Sequence, residues 1–268
     1  MKTKVKLYCI AFLSLSFFTC EQTIEWELQN DGDERLVVDA LLHDQEEIQC
    51  IRISAVYDDI NGSGTEIQDA SVIVIANTKR YIFEETPGSP GLYKSIEAFG
   101  LTNNIDYSLE IEHGGSFYTA RSRIAPVAPI PTLNFSPFGQ SDSLTLDELP
   151  RFNNNQQALY IIEIDWTHLS NQNDARAKLV YFTFSTIDLE EFLQPQSQEV
   201  AFPIGSVVFI NKYGINDEFA SYLRATALET DWEGGFFGSQ SDTPIGNIEG
   251  ALGFFGTCSL LRDTIIAQ

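Results

Sequence analysis

From Arg35 onward the chain alternates apolar and polar residues with the period of two that suits strands half buried in a sheet. Leu36 to Leu42 (LVVDALL) and Ile48 to Val56 (IQCIRISAV) are rich in branched residues, with the polar stretch His43 to Glu47 between them. In the second stretch Ile51 and Ile53 share one face, and Cys50 and Arg52 share the other. A loop containing Gly and Asp, Tyr57 to Asp69, precedes SVIVIAN and RYIFEE, and the prolines and glycines of TPGSPGLY then turn the chain. IDYSLEIEH places Tyr107, Leu109 and Ile111 inward, and Gly114-Gly115 makes a two-residue hairpin turn into SFYTARSRI. About seven short strands at this spacing predict an Ig-like β-sandwich over residues 34–124.

The stretch APVAPIP, Ala125 to Pro131, cannot continue a sheet interior. It predicts a semi-rigid proline-rich linker over residues 125–132, and residues 133–268 then form a β-rich C-terminal domain with one main helix. Ser136 to Gln157 is polar and reads mostly as loop, whereas ALYIIEIDW and AKLVYFTFST read as strands joined by the turn His168 to Asp174. EVAFPIGSVVFIN is a strand pair or a bulged strand, with Pro203 forcing an edge or a break. NDEFASYLRATALET is the helix: Asn216 caps it, Asp217 and Glu218 suit its positive end, and Phe219, Tyr222, Leu223 and Ala227 line one face. Gly234-Gly235 stops it, and GALGFFGTCSLLRDTII returns to strand. The fold class is therefore mainly β.

The first twenty residues break this pattern. Lys2, Lys4 and Lys6 precede an apolar run from Leu7 to Phe18, interrupted only by Ser14 and Ser16, which stops at Cys20. That run is too short to span a bilayer, which takes about 20 apolar residues, and it has the form of a secretory signal peptide over residues 1–19. A cysteine follows where an Ala-x-Ala cleavage site would otherwise stand, as in a bacterial lipobox. Cys20 then becomes the lipidated amino terminus, although Phe17-Phe18-Thr19 departs from the more typical Leu-x-Gly/Ala. The alternative is an ordinary secreted protein whose signal ends near a cysteine. Residues 20–33, acidic with Glu21, Glu25 and Glu27, read as a tether.

Charge narrows the partners. Lys and Arg total 16 against 38 Asp and Glu, a net charge of −22. Removing the three signal lysines leaves 13 basic against 38 acidic residues, or −25 for the mature chain. Such a surface repels nucleic acid and anionic headgroups. Loss of Cys9 with the signal and lipidation of Cys20 leave Cys50 and Cys258, in a compartment where disulfides persist. One possible pair makes no framework, and the two residues fall on either side of the linker, so both are expected to be free thiols.

Candidate chemistry is sparse. His43, His113 and His168 are scattered without metal-ligand spacing. No nucleophile elbow or phosphate loop occurs, and Asp188 with Glu190 and Glu191 suits a solvated face better than a glycosidase pair. Asp59-Ile60-Asn61-Gly62-Ser63-Gly64 opens like a calcium loop, making Asp59 and Asn61 weak metal candidates. The twelfth position is Ala70 instead of glutamate, however, so an inter-strand loop without metal is expected. Neither cofactor nor catalytic residue is expected. The densest aromatic group is Trp232, Phe236, Phe237, Phe254 and Phe255, of which Trp232, Phe236 and Phe237 are interface candidates and Phe254 and Phe255 serve equally well as core.

The order of segments resembles the DUF4249 family of Bacteroidota outer-membrane lipoproteins. The resemblance rests on CEQTIEWEL, ERLVVDALL, QCIRISAVY, GLTNNIDYSLEIEHGGSFYTA, the proline stretch, the EFASYLR helix and TPIGNIEGALGFFG. The most particular piece holds Pro244, Gly246-Asn247-Ile248 and Gly253-Phe254-Phe255. The resemblance implies an N-terminal Ig-like module, export to the outer membrane and association with SusC-like TonB-dependent barrels; it implies no reaction. The expected function is a lipid-anchored, surface-exposed, non-catalytic subunit of such a barrel complex, in nutrient or peptide capture. The alternatives are a structural accessory of a secretion or barrel-assembly machine and, behind it, a surface hydrolase.

Overall fold

The computed structural model describes residues 35–56, 65–139, 142–147, 149, 153, 156–170, 175–185, 199–230 and 246–268, the side chains of 227–230 excepted. Cys20, Asp59, Asn61, the Asp188–Glu191 carboxylates, Trp232, Phe236 and Phe237 lie outside the described residues. The fold is mainly β, with one α-helix among those residues.

The first seven strands are β1 (Leu36–His43), β2 (Cys50–Ala55), β3 (Ser71–Ala76), β4 (Lys79–Thr86), β5 (Ser89–Ser95), β6 (Asp106–His113) and β7 (Ser116–Arg123). Alternation decides their faces. Ile51, Ile53, Tyr107, Leu109 and Ile111 all point into one buried cluster with Leu36, Val38, Val72, Val74, Phe83 and Tyr93. The β1–β2 loop is held by buried Gln49, whose side-chain amide donates to the carbonyls of His43, Gln45 and Phe99.

Next come β8 (Phe135–Pro137), β9 (Ser143–Leu146), β10 (Ala158–Asp165), β11 (Arg176–Thr183), β12 (Phe202–Pro203) and β13 (Val207–Gly214), then helix α1 (Asp217–Thr230). Asn216 caps α1 as its sequence predicts: its Oδ1 accepts from the Phe219 N–H at 2.8 Å. The chain ends with β14 (Ile248–Glu249), β15 (Leu252–Cys258) and β16 (Leu260–Ile266).

The sheets do not follow the expected domain boundary. β14 and β15, which the sequence pattern assigns to the C-terminal half, join the first sheet, whose order is β14-β7-β6-β3-β4-β5-β2-β1-β15. β15 runs parallel to β1 from Val37 opposite Leu252 to His43 opposite Cys258. The far ends of this sheet then meet. The Thr257 N–H donates to Ser122 Oγ at 3.1 Å, and Ala125 bridges to Cys258. β15 is buried on both faces, as a parallel strand covered on each side should be. Phe255 fills the first core, while Phe254 stacks on Phe219 of α1 with ring centroids 4.7 Å apart. Both are core residues.

Four strands, β11-β10-β13-β16, make the second sheet, and β12-β9-β8 make a small third one. Their common core holds Leu144, Leu146, Ile162, Ile164, Phe202, Val208 and Ile210. The proline stretch is fastened along this core and is no free spacer. Lys212 of β13, 2 % exposed, donates through Nζ to the carbonyls of Ala128 and Pro129, each at 2.9 Å, and lies 5.2 Å from the Tyr160 ring centroid. Gly214 allows the close approach, because a Cβ there would strike the Pro126 carbonyl.

Candidate functional site

The outer face of the second sheet follows from strand parity. Residues directly opposite one another in antiparallel strands point to the same side, so the register assigns four rows to this face. They are Ile266–Val207–Asp165–Arg176, Thr264–Phe209–Glu163–Lys178, Arg262–Asn211–Ile161–Val180 and Leu260–Tyr213–Leu159–Phe182. The last row is covered: Leu159, Tyr213 and Phe182 pack with Ile215, Ala220, Phe219 and Leu223 at α1 and with Leu41 of β1. The other rows carry large apolar side chains in the open, with Val180 49 %, Phe209 42 % and Ile266 59 % exposed. Beyond the strand ends, the turn residues Leu169 and Ile204 are also exposed, and His168 Nε2 lies 3.1 Å from the Gly205 carbonyl oxygen.

Charge on this face is largely neutralised in place. Arg176 Nε donates to Asp165 at 2.8 Å. The hydroxyl and backbone N–H of Thr167, together with Arg176, hold the Asp165 carboxyl below the usual carboxylate range. Lys178 stands opposite Glu163. Arg262 grips Glu47 through both terminal guanidinium nitrogens, which lowers the Glu47 pKa, and donates through Nε to Asn211 Oδ1 at 3.1 Å. Exposed apolar side chains interspersed with paired charges, in a chain of net charge −22, give this face the mixed apolar and polar make-up that interfaces share.

A cleft of about 580 Å³ lies between β6, β7 and the start of α1, lined by Asp106, Ser108, Arg121, Arg123, Asn216 and Asp217 among others. Two of its carboxylates are engaged with neighbours. Arg123 Nε donates to Asp106 at 2.7 Å, which lowers the Asp106 pKa, and Asp217 accepts from the Gln157 amide at 2.6 Å. No group of three or more His, Cys, Asp or Glu among the described residues is placed to hold a metal ion. Cys50 is an exposed free thiol, and Cys258 is a buried one that donates to the Leu42 carbonyl.

Two further side chains matter to the fold, one visible in the local alternation and one not. Lys212 shares its parity with Val208 and Ile210, so the alternation itself places it on the buried face. Asn247 has no such signal. Its amide donates to the Phe255 carbonyl at 2.8 Å and the Arg121 carbonyl at 3.3 Å, and its Oδ1 accepts from the Phe255 N–H at 2.8 Å. Gly246 and Gly253 flank it because a Cβ on either would run into backbone, that of Gly253 and Val38 respectively. The family model described as Domain of unknown function (DUF4249) matches residues 21–263. No curated protein matches the chain.

Proposed function

Because the chain belongs to the DUF4249 family, we propose that it is a lipid-anchored outer-membrane lipoprotein, a non-catalytic subunit that docks on a SusC-like TonB-dependent barrel in nutrient or peptide capture. The observation that carries this reading is the outer face of the second sheet, where Val180, Phe209 and Ile266 stand exposed among paired charges. Lone apolar residues on a surface need no partner, but several exposed on one sheet face suit one. The lysine, apolar, cysteine order of residues 1–20 supports the anchor. Confinement to the membrane plane raises the effective concentration near any barrel and lets a modest face suffice. The fastened proline stretch fits a rigid subunit better than a flexible one.

Affinity purification of the tagged full-length protein from outer membranes in mild detergent tests this. A barrel of SusC size should accompany it. Recovery of the protein alone, or of a barrel that persists when Phe209 and Ile266 are both changed to Asp, overturns the reading.

A further inference from the structure

The first sheet cannot close with its own seven strands. β1 has β2 on one side and β7 has β6 on the other, and the gap between them is filled by β15, with β14 capping part of the β7 edge. The filling strand comes from far along the chain: the Cys258 thiol and the Leu42 carbonyl it bonds lie 216 residues apart. Apart from the short β14–β7 pairing, all other ladders of this sheet join strands within its first seven. β1 with β2, β3 with β4, β4 with β5 and β6 with β7 are sequential neighbours that form without waiting for the rest.

We propose that residues 246–258 are a latch, inserted last between β1 and β7 and opening as a unit. Until it arrives, the β1 and β7 edges carry unpaired backbone groups, the condition under which strands pair with the wrong partner. The latch has a defined seat. Phe255 enters the first core, Asn247 ties β15 to the Arg121 carbonyl of β7, and Thr257 meets Ser122 Oγ through both its N–H and its hydroxyl. Gly253, at φ +96° and against the Val38 carbonyl, admits the strand only without a side chain at that point. Cys258 closes the far end. The second sheet takes only β16 from this part of the chain, so it retains β10, β11 and β13 when the latch is out. This inference does not rest on the barrel reading.

Pulse-labelling hydrogen exchange on the full chain during refolding tests the order of closure. Amides of β3, β4 and β6, with the β1 and β7 amides bonded to β2 and β6, should gain protection first, and those of β15 with the edge amides of β1 that face it in a later phase. Protection of β15 before the β1–β2 and β6–β7 ladders, or one phase for all, overturns the proposal. Native-state exchange of Asn247→Leu supplies the second measurement. Loss of its backbone bonds should speed exchange about tenfold in β1, β7 and β15 while β10 and β13 keep the wild-type rate. An equal rise everywhere, or none in β1 and β7, also overturns it.

Discussion

Lys212 holds its ammonium group in the interior against the carbonyl oxygens of Ala128 and Pro129. Burial lowers its pKa from 10.5 to about 8. Between those two values the unfolded chain binds one proton more than the folded one, so stability must rise with pH across that window. Below about pH 8 both states carry the proton, and the buried charge costs about 3 kcal/mol relative to the neutral amine. From about pH 7.5 to about pH 9.5 the recovered part of that cost comes to about 2 kcal/mol. Cys258, whose pKa burial raises, acts in the opposite sense: its thiol ionises first in the unfolded chain, and stability falls as pH rises. Tyr160 and Tyr213, also raised by burial, do the same at higher pH. Comparison with Lys212→Met, which keeps the stem's volume and removes the charge, subtracts those groups. Urea unfolding at both pH values should give a wild-type-minus-variant difference that grows by about 2 kcal/mol at the higher pH, with unchanged m-values. A difference independent of pH would refute the reasoning. It would mean that the two carbonyl bonds hold the ammonium at its ordinary pKa.

Two further outcomes follow from the thiols and the amino terminus. Cys20→Ala should shift the protein from the membrane fraction to the soluble one, and intact-mass analysis of the wild type should find lipid on a chain starting at Cys20; a soluble wild type beginning elsewhere contradicts the anchor. Alkylation of the native protein should label Cys50 readily and Cys258 only after unfolding, since burial both shields that thiol and keeps it protonated. Failure of either thiol to label under non-reducing denaturation would show a disulfide.

Local patterns were legible in the sequence, and distant pairings were not. The alternation at Ile51 and Ile53 and at Tyr107, Leu109 and Ile111 gave the correct buried faces. The cap at Asn216 and the acidic first turn of α1 gave the helix its start. GALGFFGTC reads as strand, and it is one, yet nothing within it names β1 as its parallel partner; that information lies at Val38, where a backbone carbonyl demands glycine at position 253. The proline stretch reads as a linker because its lack of N–H donors is visible locally, while the lysine that fastens it lies more than 80 residues on, 84 from Ala128. The bare outer face of the second sheet is legible only in register, since Val180, Phe209 and Ile266 belong to three strands. Cys20, Asp59, Asn61, Trp232, Phe236 and Phe237 lie outside the described residues, so the outer face stands as the site on its own geometry.

Site-resolved photo-crosslinking in intact cells tests the central claim most directly. A photoreactive residue is placed at position 209 or 266 on the bare face, or at position 82 or 96, where Ile82 and Ile96 are similarly exposed on the first sheet. The account predicts adducts of SusC-like barrel mass from 209 and 266 and none from 82 and 96. Adducts from the first sheet alone, or from neither surface, would contradict it.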